Sequence, residues 1–343
     1  MKIGFIADLH LSGFVNDMIE SKSNLPERLN EKKVALYNAI DDLKARSCKI
    51  LVIAGDLLHN KSLIYSIAQS VLLDFIRDNT DMEFIVIDGN HDLSSKGKIS
   101  VSSLKCLDNE PNVIRVKSGE TSSAGLKDFL FVPYSISISK DIRDHFSKYL
   151  VSHFGLNEAQ LNSGSSVVSD ISIRDLIGKY EYAFLGHYHR PQEIILKDIK
   201  LYYTGSITQS DWSEKHEDKR FLIFDTETKQ VESILTRGYR KYFELEIKNE
   251  NREEVIAYAR ELKQQGGHVI LKKTEDVNTL DISKEFVVVD KVGRDISQRG
   301  ITMSMSEKDK LERYMEIMKV EEEDRAEILR EGLDIIQSCS GEV

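Results

Sequence analysis

Cysteine is scarce: Cys48, Cys106 and Cys339 are scattered through 343 residues, and no two form a C-x-x-C pair. An odd, dispersed set points to reduced thiols in a cytoplasmic compartment, and not to a disulfide framework or a thiolate metal site. Proline is also sparse, at 4 residues, and there is no internal repeat or low-complexity tract. No apolar run approaches the roughly 18 residues that a membrane helix needs. The opening "MKIGFIADLH" reaches Asp8 and His10 too soon for a signal peptide and reads as a first β-strand. Positive charge is lacking as well. A net charge of −10 excludes a chain that grips polyanions by its overall field, so any nucleic-acid contact must come from local basic patches, metal ions or a partner.

What is present suits one large domain followed by smaller units. Up to about residue 238, near-continuous apolar runs alternate with helix-length segments, the pattern of an α/β layered domain. The runs are "KIGFIAD", "KILVIAGD", "EFIVIDGN", "DFLFVPY", "KYLVSHFG" and "YEYAFLGHYH"; strands this apolar are covered on both faces. Between them, "NEKKVALYNAIDDLKAR" and "SIAQSVLLDFIRD" carry apolar residues at helical spacing. Residues 239–292 read as a small α+β unit, with the alternating strand "KYFELEIK", an amphipathic helix stopped by Gly266 and Gly267, and the strands "HVILKK" and "EFVVVDKV". Residues 293–343 read as a linker and two charged amphipathic helices. The first starts at Ser306 with Asp309 as a capping-box variant and places Leu311, Tyr314, Met315 and Met318 on one face; the second offers Ala326, Leu329, Leu333 and Ile336.

All but one of the six strand runs end in a metal-capable side chain, where α/β folds build their sites. The candidates are Asp8 and His10 in "ADLH", Asp56 in "GDLLH", Asn90 and His91 in "GNHD", His153 in "VSHFG", and His187 and His189 in "GHYH". Taken singly, each is ordinary turn chemistry or an exposed histidine. Yet His10, His59, His91, His153, His187 and His189 all fall in these blocks, out of 9 histidines in the chain, which coincidence explains poorly. His145, His216 and His268 lie outside them and read as structural. Imidazole and oxygen ligands without thiolate suit Mn, Fe, Zn or Co better than Ca or Mg. They also outnumber what one ion needs and match a pair about 3.5–4 Å apart. In an extended segment, His187 and His189 would point the same way and reach adjacent ions.

Asp-x-His, Gly-Asp, Gly-Asn-His-Asp, His and Gly-His-x-His, in that order, resemble the signature of the calcineurin-like metallophosphoesterases. The resemblance implies a layered α-β-β-α sandwich. It also implies Asp8, His10 and His189 on one ion, Asn90, His153 and His187 on the other, and Asp56 bridging. Manganese is the expected metal, with magnesium as the alternative. His91 matches the family's proton donor, and Asp92 would orient it or brace its loop.

Within that family, "GDLLH" resembles the Gly-Asp-hydrophobic-hydrophobic-His of SbcD-type DNA-repair nucleases, in which the second histidine, here His59, helps to orient the substrate phosphate. "FVPY" and "LYYTGSITQSDWSE" followed by "KRFLIFD" fit the same group, although Thr204 stands where proline is usual and "ADLHLSG" has an inserted serine. The resemblance implies an exonuclease on duplex ends and endonuclease on single strands, acting in DNA repair and recombination. It further implies a capping domain, a homodimer, and C-terminal helices that dock on an SbcC-like SMC-family ATPase. Local candidates for phosphate contact are Lys61, Lys96, Lys98, Arg190 and the "RGYRK" run at 237–241. A small-molecule or cyclic-nucleotide phosphodiesterase would share every ligand but leaves "GDLLH" and the extra domains unexplained. A non-catalytic scaffold is disfavoured because no ligand is missing.

Overall fold

Alternating residues of the same strands face different cores, and that alternation builds the architecture. The computed structural model describes all residues except 14–24, 62, 96–99, 162–167, 216, 275, 291–304, 318–319, 321 and 341–343. The chain divides into two compact units, Met1–Tyr242 and Phe243–Val343.

In the first unit, β1 (Lys2–Ile6), β2 (Ile50–Ala54), β3 (Glu83–Ile87) and β4 (Val113–Val116) run parallel, and β10 (Arg220–Asp225) and β11 (Val231–Leu235) extend the sheet antiparallel from β1. The sheet order is β11-β10-β1-β2-β3-β4. A second sheet has the order β5-β6-β7-β9-β8, formed by β5 (Phe129–Val132), β6 (Tyr149–His153), β7 (Tyr182–Gly186), β8 (Gln192–Leu196) and β9 (Ile199–Tyr203).

Between the sheets, Phe5, Val52 and Ile87 meet Tyr149, Val151 and Phe184 in one core, with Phe5 and Phe184 stacked at 4.1 Å. On the outer face of the first sheet, Leu51, Ile53, Phe84 and Val86 pack against helices α1 (Glu27–Ala45) and α2 (Ser66–Arg77). On the outer face of the second, Leu150, Ala183 and Leu185 pack with Ile138 and Ile142 of α3 (Ile138–Asp144). These three cores make the α-β-β-α sandwich. Gly4 lets α1 close onto β1: a Cβ there would lie 2.6 Å from Leu43 Cδ2.

The second unit pairs β12 (Tyr242–Ile247), β13 (His268–Lys273) and β14 (Val287–Asp290), with Ile247, Val269 and Leu271 packed on Ile256, Ala259 and Leu262 of α4 (Arg252–Gln264). Tyr242, where β12 begins, is the last residue of the first unit and packs there edge-on to Trp212 at 4.6 Å. Farther along, α5 (Glu307–Ile317) and α6 (Glu322–Ser340) fold against each other. Leu311 of the α5 stripe lies against Gly332 of α6, and Met315 is buried; Met318 lies outside the described residues. Ser306 Oγ accepts the Asp309 N–H at 3.1 Å and donates to its carboxylate at 2.6 Å, which caps α5. No described helix is long and apolar enough to cross a membrane.

Candidate metal centre

Beyond β1 and β2 the chain keeps pairing although neither segment is still a strand. Asp8 N–H reaches Gly55 O at 3.1 Å, His10 N–H reaches Asp56 O at 2.9 Å, and His59 N–H returns to Leu11 O at 3.1 Å. The zipped loops hold Asp8, His10 and Asp56 in the left-handed region, at φ 53°, 44° and 54°. Non-glycine residues adopt it at a cost of order 1–3 kcal/mol each and persist there only when the surroundings over-determine them. At the end of β3, Gly89 admits the Asp56 carboxylate: a Cβ there would lie 2.2 Å from Asp56 Oδ1. Asp92 is buried and accepts N–H groups of Gly89 (3.0 Å), Leu58 (3.0 Å) and Leu57 (3.3 Å), so it braces these two loops.

The expectation for "GHYH" needs correction. β7 ends at Gly186, and His187 has φ 103°, so the two histidines do not lie on an extended segment. The turn buries Tyr188 against Tyr203 and still aims both imidazoles at the site.

The side chains converge tightly. His10 Nε2 and His189 Nε2 face each other at 2.9 Å, and His10 Nε2 lies 3.6 Å from Asp56 Oδ2. On the other side of Asp56, His153 Nε2 is 3.3 Å from the same oxygen and 3.1 Å from Asn90 Oδ1, which His187 Nδ1 also meets at 3.0 Å. Both Asp8 oxygens accept the His187 backbone N–H, at 3.1 Å. Ligand atoms of Asp8, His10 and His189, and those of Asp8, Asp56 and His153, fall within 4.8 Å of one another.

His153 Nδ1–H donates to Ala54 O at 2.8 Å, which turns its Nε2 into the site. His91 takes its backbone N–H to Asp56 Oδ1 at 2.7 Å and its ring Nδ1–H to His59 O at 2.6 Å, leaving Nε2 for exchange with solvent or substrate. The His59 ring stacks on His91 at 5.6 Å and is exposed.

The electrostatics fit a cation. Burial pushes the Asp8 carboxyl up to about 6, although His153 and His189 oppose it. Burial opposes ionisation of Asp56 too, but His153 and His10 outweigh it and hold Asp56 well below the usual range. Burial drives His10 well down and His187 down to about 3, so both offer lone pairs at neutral pH. Two imidazole nitrogens at 2.9 Å repel unless a proton or metal ion lies between them. Divalent cations would neutralise this donor set.

Sequence reasoning missed the support for His189. Glu214, fully buried, accepts His189 Nδ1–H at 2.9 Å and is itself held by Lys219 Nζ at 2.8 Å, the Ser210 N–H at 3.0 Å and the Ser206 hydroxyl at 3.3 Å. Burial works against its ionisation, yet His189 and Lys219 bring it down to about 2. Its one signal was its place at the end of "LYYTGSITQSDWSE". Of the suggested phosphate contacts, Arg190 is turned to Gln160 Oε1 at 3.2 Å, Lys61 is half-buried after the His59 loop, and Lys96 and Lys98, like His216, lie outside the described residues. In the basic run, Arg237 pairs with Asp42 at 2.8 Å, Arg240 with Glu27 at 2.7 Å and Lys241 with Asp218 at 2.6 Å. The cations beside the cluster are others: Lys32, with Nζ 2.7 Å from His10 O, and Arg28.

Comparison with known proteins places the chain in a family. The family model for calcineurin-like phosphoesterases matches residues 1–226. The chain is 22% identical over 311 residues to the SbcD component of the nuclease SbcCD of Staphylococcus epidermidis, spanning 80% of this chain and 79% of that protein. Among solved structures it is similar to an archaeal phosphodiesterase, at 15% identity over 68% of this chain and 99% of that one, with a TM-score of 0.35. It is also similar to a phosphoesterase from E. coli, at 12% identity over 69% and 100%, with a TM-score of 0.35.

Proposed function

The chain belongs to the calcineurin-like phosphoesterases, and from that premise we propose that it is a two-metal DNA nuclease, cleaving duplex ends as an exonuclease and single strands as an endonuclease. One observation carries the metal-dependent part: six candidate ligand side chains from loops of both sheets converge about the carboxylate of a seventh, Asp56. The nuclease part is supported by the "GDLLH" block, by the relative named as part of a nuclease, and by the chain that follows residue 242.

Asp8, His10 and His189 would hold one ion and Asn90, His153 and His187 the other, with Asp56 between them. Manganese is the favoured metal on the family resemblance; the imidazole and oxygen set by itself suits Mn, Fe, Zn or Co. When bound, such a pair supplies Lewis acidity to a phosphoryl oxygen and acidifies the attacking water. The rest falls to the protein. His91, with Nδ1 committed to His59 O, carries its exchangeable proton on Nε2 and gives it to the leaving oxygen. His59, stacked beside it, steadies the phosphate. Glu214 fixes the tautomer and ring plane of His189.

The S. epidermidis relative is by its name one component of a two-part nuclease. By analogy, α5 and α6 are our candidate surface for an SMC-family ATPase, and a homodimer of this chain is the expected form.

The test is hydrolysis of end-labelled duplex and single-stranded DNA by metal-stripped protein given back manganese or magnesium, with and without the ATPase. We expect metal-dependent release of nucleotides. Turnover of a bis-aryl phosphodiester or a cyclic nucleotide with no cleavage of DNA would replace the nuclease reading by that of a small-molecule phosphodiesterase.

A further inference from the structure

A cavity of about 360 Å³ adjoins His10, His59 and His189 and is walled by the first two turns of α1 through Arg28 and Lys32. That volume lies at the low end of small-ligand sites, about 300–1,000 Å³, and suits one group rather than a duplex. The two cations are four residues apart on one helix face, and both are half-buried. Their positions are fixed from behind. Arg28 gives one N–H to Ser210 O at 3.0 Å and lies over the Tyr242 ring, 4.8 Å from its centre, while Lys32 holds the carbonyl of His10 at 2.7 Å. A guanidinium has five N–H donors, so among the described residues the Ser210 contact leaves part of its fork available. Among the described residues Asp211 is the one acid on the wall; it is exposed, and its Oδ1 is taken by the Ser213 N–H at 2.7 Å and hydroxyl at 2.6 Å.

We propose that this cavity binds a second phosphate group, one nucleotide away from the phosphodiester being cleaved, with Arg28 and Lys32 as its ligands. Arg28 and Lys32 bring two positive side chains to the wall of a cavity beside the metal cluster, a setting that attracts an anion. On the phosphodiesterase reading the cleaved phosphate would sit at the metal cluster itself, so an anion in the cavity would be a different group of the same substrate. A polynucleotide supplies one at every linkage, and a simple diester does not. The site therefore makes the enzyme favour a diester flanked by another phosphate. This rests on the phosphodiesterase reading above and adds the substrate feature that it selects.

The test compares the dinucleotide TpT with pTpT and TpTp, which carry the flanking phosphate on the 5′ or the 3′ side. Wild-type protein should show a kcat/KM at least roughly tenfold higher for one phosphorylated form than for TpT, chiefly through KM, as expected for one or two charge-assisted contacts. Arg28→Gln and Lys32→Met should bring that ratio close to one, whatever their absolute rate on TpT. Arg28→Lys should restore part of it. Calorimetry with the methylphosphonate analogue of the preferred dinucleotide, which keeps the terminal phosphate but has no scissile diester, should show the same loss of affinity in both variants. Equal kcat/KM for all three dinucleotides, or a preference and analogue affinity untouched by both substitutions, overturns the proposal. If no diester is cleaved while the analogue still binds through Arg28 and Lys32, the phosphodiesterase reading fails and the anion site stands.

Discussion

At the scale of single residues the centre is a contest between burial and neighbouring charge. Burial alone would leave His153 neutral, but Asp56 at 3.3 Å raises it to about 9. His153 therefore carries a proton at pH 7 before an ion arrives, and a metal taking Nε2 must expel it. Calorimetric titration with manganese in buffers of different ionisation enthalpy should register release of about one proton from this residue at pH 7, fading as pH rises through 9. Glu214 works in the opposite sense. Its folded pKa of about 2 lies below the ordinary glutamate value, so its contribution to stability is complete above about pH 4.3 and is lost as pH falls through 2. Urea denaturation of Glu214→Gln against wild type should thus show a gap at pH 6 that closes in acid. The same variant should bind its ions roughly 10–100-fold more weakly, since His189 loses the acceptor that orients it. Asp56→Ala and His189→Ala should lose bound metal along with turnover. His91→Ala should keep the metal and lose roughly 10²–10⁴-fold in rate; metal analysis beside kinetics separates the two outcomes.

Elements decide which of these residues could be read beforehand. The candidate ligands were legible as a cluster because apolar runs ended in Asp-x-His, Gly-Asp and Gly-Asn-His, and such runs locate strand ends well. Glu214 was not, because a lone glutamate in a polar segment looks like surface until a 3-10 turn after Asp211 folds it inward beneath His189. Arg28 was missed for a different reason. Helical periodicity in the sequence starts at Asn30, whereas α1 starts at Glu27, just after Pro26, which sets the chain direction before the first turn. That extra turn carries Arg28 to the cavity wall. Close approach of elements was invisible too. A Cβ on Gly186 would lie 2.2 Å from Ala54 O and 2.7 Å from His153 Nδ1. Gly186→Ala should therefore cost about 1–3 kcal/mol in urea unfolding and weaken metal uptake, because β7 must move away from β2. Leu43→Ala, under β1, should cost about 2–5 kcal/mol without altering the ligands, which denaturation and metal analysis together would show.

On the scale of the whole chain, every candidate ligand lies within Met1–Tyr242, a unit with its own cores. A chain ending at Tyr242 should fold, bind two ions and hydrolyse a bis-aryl phosphodiester; loss of metal binding on truncation would show that the second unit completes the centre. Asp8, His10, Asp56 and Asn90 hang from one sheet of the sandwich, and His153, His187 and His189 from the other. Ions gripped by both would act as rivets along one rim of two plates otherwise joined by greasy contact. Each site filled at a hundred times its dissociation constant adds about 2.7 kcal/mol of resistance to unfolding. Chelation should accordingly lower the melting temperature and quicken amide exchange first at the riveted rim, where β2 and β6 end, while the far edges marked by β11 and β8 keep their pace.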